Sequence, residues 1–167
     1  MYLQRHLNKT PKVSKDATIF QGAILSGDIE ISDGVNIWYN VSMRGDMSYI
    51  RVGENTNIQD NAVVHTNREA PCIIGKNVTV GHSSILHACT VHDNALIGMG
   101  SIVLDGAVVE EGALVAAGCV VPPNKTVPAY HLALGNPMKI IRELTEAEIE
   151  ANKTNKDYYL QLVDEYV

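Results

Sequence analysis

Three histidines are set apart by their spacing: His65 in the run AVVHTN, and His82 and His87 in VGHSSILH. Neutral imidazole is the commonest metal ligand in proteins, and it binds zinc at about 2.0–2.1 Å. Nearby are residues that handle charge: Arg44 and Asp46 in RGD, and Gln59 and Asp60 in NIQD. An Arg–carboxylate pair can be bidentate, and an amide such as that of Gln59 can hold a water or a substrate oxygen. Three neutral imidazoles leave a divalent ion its full charge, which lowers the pKa of bound water from 15.7 to about 7. The set is therefore suited to making hydroxide at neutral pH, provided that the fold brings the rings to one ion.

The elements that must position these residues follow from a repeat. Ile97, Val103, Val109, Val115 and Val121 are spaced by six, and a small residue stands two before each: Ala95, Ser101, Ala107, Ala113 and Cys119. Ile74, Val80 and Leu86 keep the step, as do Val52, Ile58 and Val64, and Ile19, Leu25, Ile31, Ile37 and Met43. A helix would need apolar residues at three and four, and an antiparallel sheet would need turn signals every eight to twelve residues. A step of six fits short strands joined by turns, three to a triangular coil: an all-β solenoid, or parallel β-helix. Glycines such as Gly22, Gly34, Gly53, Gly75, Gly81 and Gly98 lie around the bends, where a tolerant backbone is needed. The count breaks at RGDMSYI and again at HTNREAPC. If the first break hides a strand, Ile19 to Val121 makes about six coils, a prism roughly 29 Å tall at the strand spacing of about 4.8 Å.

The chain then divides into an N-terminal segment 1–16, the β-helix 17–123, a connector 124–144 and a C-terminal helix 145–167. Thr145 and Glu148 form a capping-box signature, and Ile149, Tyr159, Leu162, Val163 and Tyr166 form its apolar stripe.

His65 follows Val64 and His87 follows Leu86. On this count both lie on the third face of successive coils, one above the other. His82, two past Val80, is on the second face, as are Arg44, Gln59 and Asp60. One chain would not bring the three imidazoles together, but a threefold assembly would, with two ligands from one subunit and one from its neighbour. Arg44 could pair with Asp46 or Asp60 across that boundary, or serve the interface alone.

With the hexapeptide background, RGD, NIQD, His65, VGHSSILH and LGNPMKIIREL (134–144) resemble the γ-class carbonic anhydrase family of left-handed β-helix trimers over nearly the whole chain. The resemblance implies Zn2+, with Fe2+ or Co2+ as alternatives, bound by His65 and His87 of one subunit and His82 of the next. It implies an interfacial Arg44–Asp46 pair with Asp60 in the same network. Gln59 would orient a metal-bound hydroxide that attacks CO2 to give bicarbonate, and a tyrosine of the C-terminal helix, Tyr159 or Tyr158, would approach the site. Met47 departs from the family pattern, in which an acidic residue can follow the RGD-like motif. Glu69 is the one carboxylate in the loop after His65.

Bulk properties narrow the alternatives. A net charge of −6 argues against a phosphate-tracking nucleic-acid surface. No apolar run is long enough to span a bilayer. Aromatic residues are 5% against 46% hydrophobic, so the core must be aliphatic. Three cysteines cannot all pair within one chain, which points to a reducing, cytoplasmic setting. Cys72, Cys89 and Cys119 each stand two before an inward aliphatic and read as packed thiols. Two rival functions share the solenoid: an acyltransferase using one histidine as base, and a metal- or siderophore-binding or assembly protein without catalysis.

Overall fold

The computed structural model describes residues 2–166. The chain winds as an all-β, left-handed parallel β-helix of about seven turns, followed by one C-terminal helix. Successive residues of a strand point to opposite sides, so each short strand sends its aliphatic residue into the prism and its neighbours out.

The inward residues stack in three columns. Leu3, Leu25, Met43, Val64, Leu86, Val103 and Val121 form one. Val13, Ile31, Val52, Ile74, Val91, Val109 and Val127 form the second. Ile19, Ile37, Ile58, Val80, Ile97, Val115 and Ala133 form the third. Ala62, Ala95, Ala107, Ala113 and Cys119, two before an inward aliphatic, are fully buried beside them. One large and one small side chain per strand fill a narrow prism at interior density, and rings would not fit. All three cysteines are buried and free.

Each column holds seven residues rather than six, because Leu3, Val13, Val127 and Ala133 extend the stack beyond Ile19 to Val121, although the RGDMSYI break hides no strand. Ser42–Val52 is one continuous strand that rounds a corner beside Ile24–Ile31. Between Gly27 and Ile29 the register jumps from Gly45 to Ile50, so two steps on one strand face five on the other and the extra residues bulge outward. Pairing also runs past both ends of the 17–123 window. Tyr2–Gln4 and Lys12–Val13 pair with Ile24–Ile31. Val127 and Ala133 keep the step of six beyond Pro122 and Pro123, and Lys139–Glu143 returns antiparallel to His131–Leu134.

The left-handed corner positions are shared between glycine and asparagine, with Asn40, Asn55, Asn61, Asn77, Asn94 and Asn124 all at positive φ. Asparagine tolerates that region because its short amide can bond locally. Gly81 serves a different need. A Cβ there would lie 2.7 Å from the backbone nitrogen of Met99 on the next turn.

Helix α1 (Glu146–Val163) starts at a reciprocal capping box of Thr145 and Glu148. Arg142 donates to both Glu148 carboxylate oxygens at 2.8 Å. The helix lies over the face of the third column, where Tyr159 and Tyr166 meet the edge of Trp38. No helix among the described residues is long and apolar enough to cross a membrane.

Candidate metal centre

Val64 and Leu86 are inward neighbours in register, so the residues after them, His65 and His87, are also paired. Their ring centroids are 5.1 Å apart, and His65 Nδ1 lies 3.1 Å from His87 Nε2. Each outer nitrogen has a carboxylate. His65 Nε2 is 3.1 Å from Asp46 Oδ1, and His87 Nδ1 bonds to Asp105 Oδ1. Asp46 is ion-paired with Arg44, and Asn67 donates to Asp105 at 2.7 Å. Burial alone would raise the carboxyl of Asp46, but the Arg44 and His65 bonds outweigh it and hold it below the ordinary range. Asp105 is lowered in the same way, with burial opposed by Asn67 and His87.

Arg44 stands elsewhere than the sequence count put it. It pairs in register with His65, so Arg44, His65 and His87 share one outward column and Gln59 lies on another face. The bulge is the reason: counting a strand into it shifts every residue before it by one face.

His82 is on the helix-covered face. Its Nδ1 is 2.7 Å from Asp60 Oδ2, and its Nε2 is 3.2 Å from the Tyr159 hydroxyl. Gln59 is buried and holds the His82 backbone, accepting from its N–H at 3.2 Å. The Gln59 amide donates to Asn57 at 3.0 Å, and Asn57 donates to Thr79 at 2.9 Å. A cavity of about 210 Å³ opens here, walled by Gln59, His82, Met99, Asn155 and Tyr159. Burial, reinforced by the charge of Asp60, raises the Tyr159 phenol, which keeps it a neutral donor. Tyr158, the other candidate, is exposed.

Among the described residues no group of three or more His, Cys, Asp or Glu side chains is placed to hold one ion within the chain. The model for the bacterial transferase hexapeptide (six repeats) matches residues 88–123. Gamma carbonic anhydrase 2, mitochondrial, of Arabidopsis thaliana is 43% identical over 96% of this chain, which spans 62% of that protein's length. A probable carbonic anhydrase of Methanocaldococcus jannaschii is 46% identical over 90% of this chain and 94% of its own. The chain belongs to the γ-class carbonic anhydrase family. The crystal structure of a hexapeptide transferase family protein from Anaplasma phagocytophilum is similar with a TM-score of 0.96 and 44% identity, covering 99% of this chain and 98% of that one.

In this γ-class carbonic anhydrase chain, the His65–His87 pair fits a divalent ion. With Asp46 accepting from His65 Nε2–H and Asp105 from His87 Nδ1–H, the two facing nitrogens both present lone pairs at 3.1 Å. Two lone pairs so placed leave room for a cation between them, whereas the other tautomer of either ring would join the two nitrogens by a hydrogen bond. Two imidazole ligands of a tetrahedral zinc, at about 2.0–2.1 Å each, stand about 3.3 Å apart. Asp105 and Asn67 were missed by sequence reasoning, though a signal exists for the first. Asp105 stands two past Val103, as Asp60 and His82 stand two past Ile58 and Val80, on the turn next to His87.

Proposed function

We propose that this protein hydrates carbon dioxide to bicarbonate as a homotrimer, at a divalent ion shared by His65 and His87 of one subunit and His82 of the next. Zinc is the first choice, and Fe2+ or Co2+ would suit the same imidazole set. The observation that carries this reading is the pair of facing imidazole nitrogens, 3.1 Å apart and each backed by a carboxylate. A catalytic zinc takes three protein ligands and keeps one position open, so the pair is one ligand short.

The outward column just before the pair supports a neighbouring subunit. Tyr2, Ile24, Ser42, Val63, Ile85, Ile102 and Val120 follow one another on successive turns. All but Ser42 are apolar, and Tyr2, Ile24, Val63 and Ile85 are exposed. A stripe apolar but for Ser42 marks an interaction surface, and a closed ring of three would set each pair against a partner's His82 face.

When bound, the ion would acidify a coordinated water into the neutral range. The side chains then have separate tasks. Asp46, Asp105 and Asp60 each hold the far nitrogen of one imidazole, which fixes its tautomer and raises its basicity. Gln59 pins the His82 backbone and borders the cavity in which a small substrate would be oriented. The Tyr159 hydroxyl meets the His82 nitrogen that an ion would take. Displaced from it, the phenol becomes a donor for an oxygen of the anionic product. Arg44 adds positive charge beside the pair.

Protein purified anaerobically, without chelator, should carry one ion per subunit by elemental analysis and catalyse CO2 hydration in stopped-flow assays. Absence of a rate above buffer in both the zinc- and iron-loaded forms would overturn the hydratase reading. Metal retained without hydration would point instead to a metal-binding protein.

A further inference from the structure

A second cavity, of about 250 Å³, lies between α1 and the helix-covered face. It is separate from the His82 cavity, although Thr79 and Leu96 belong to the walls of both. The helix contributes Ile149, Asn152, Lys153 and Lys156, at the i, i+3, i+4, i+7 spacing of one helix face. Their chemistry is uneven. The Asn152 side-chain nitrogen is buried and has no acceptor, which is uncommon for a buried donor. Lys153 has no ion-pair partner among the described residues. Lys156 is paired with Asp157. The opposite wall includes Leu96 and Tyr130. The nearby carboxylate of Glu111 is already engaged, accepting from the Tyr130 hydroxyl at 3.0 Å and from Asn94 at 3.4 Å. The cavity thus offers an unused donor and an unpaired cation, and its other walls combine the apolar Ala95, Leu96 and Ile149 with the polar Asn77, Thr79 and Asn94.

We propose that this cavity is a ligand site for a small aliphatic monocarboxylate. Its carboxylate meets the Asn152 amide and the Lys153 ammonium, and its chain lies against Leu96 and Ile149. The size suits a short chain rather than a nucleotide or a peptide. The occupant bridges helix and solenoid, so its binding stabilises the folded chain by mass action. Ile149, Asn152 and Lys153 do not line the His82 cavity, and the site does not depend on the hydration reading.

The test uses the full chain stripped of metal, with butyrate as the probe, read by calorimetry and by thermal melting. Saturable one-site binding with a dissociation constant of about 1 mM or tighter is expected, together with a melting temperature that rises with butyrate. Butyramide, which lacks the charge, should bind about tenfold more weakly or worse. Asn152→Leu and Lys153→Gln should each weaken butyrate by about tenfold. No saturable binding by any straight-chain monocarboxylate from acetate to hexanoate overturns the proposal. So does equal binding of butyramide, or undiminished binding in both variants. If Asn152→Leu does not fold, the exposed Lys153→Gln decides alone.

Discussion

Two of the three outward faces of the solenoid bear on the candidate site, and they are covered differently. On one, the polar Thr18, Asn36, Asn57 and Thr79 are followed in register by Leu96, Leu114 and Leu132, and the chain lays its own helix over that face, with Tyr159 against Trp38 at 5.6 Å between centroids. On the other, the stripe from Tyr2 through Val63 and Ile85 to Val120 runs beside His65 and His87, with exposed residues along it. The remaining face begins with charged residues and continues through Ile73, Thr90, Val108 and Thr126. Lys12, Glu30 and Arg51 stand in register there, with ion pairs of 3.0 and 3.2 Å. Behind all three faces the inward residues are the same branched aliphatics, so the interior decides the path of the chain and the outward columns decide what each face meets.

The comparison breaks most visibly if the uncovered stripe is charged. Val63→Asp with Ile85→Asp should convert the proposed trimer to monomers in sedimentation velocity and abolish metal retention, because burying unpaired carboxylates is prohibitive. Thr126→Asp, at an exposed position on the remaining face, should change neither. A double variant that sediments as the wild type and keeps its metal would refute the interface. Mixing sharpens the same point. His65→Ala and His82→Ala should each lose the metal. Trimers reassembled from an equal mixture should regain about a quarter of the sites, since a pair from one variant then meets His82 from the other. No recovery on mixing would mean that the two halves of a site come from one chain.

These outward columns were only partly legible in the sequence. The step of six is plain because every sixth residue must avoid water, and a fixed offset from an inward residue then places His65 above His87. Arg44 was misplaced because a bulge adds residues without adding a strand, and hydrophobic spacing cannot tell the two apart. The asparagine corners were overlooked because asparagine reads as a polar surface residue unless backbone geometry is asked of it. The strands beyond Pro122 and Pro123 were lost because the proline pair and the small Ala133 mask a step that never stops. Which tyrosine faces the site was left open because no residue of α1 is fully buried, so its apolar stripe is weak.

A smaller effect is expected from the carboxylate missed at the histidine pair. Asp105→Asn should leave the fold unchanged and weaken metal binding about 10- to 100-fold in competition with a chelator, as outer-shell partners of ligating histidines typically do. Ser26→Ala, in the same outward column as Arg44 but with no contact to the pair, is the matched control. Equal affinity in both would assign Asp105 to loop structure with Asn67.

The smallest effect tests how the helix-covered face is kept covered. Arg142 first, and then the backbone and hydroxyl of Thr145, hold the Glu148 carboxyl down to about 2 from its ordinary 4.5. A carboxyl lowered on folding contributes stability that is present above the unfolded value and is lost as pH falls through the folded one. The start of α1 should therefore loosen between about pH 4.5 and pH 2, and Glu148→Gln should loosen it already at neutral pH. Trp38 is the only tryptophan and touches both Tyr159 and Tyr166, so its fluorescence reports whether the helix is docked. Other lowered carboxyls, such as those of Asp28 and Asp46, titrate alike in both proteins, so the difference between the two pH profiles isolates the cap. The difference should be largest at neutral pH, fall to about half near pH 2 and vanish below it, where both side chains are uncharged. Superimposed profiles throughout would mean that Tyr159 and Tyr166 hold the helix against Trp38 without help from its first turn.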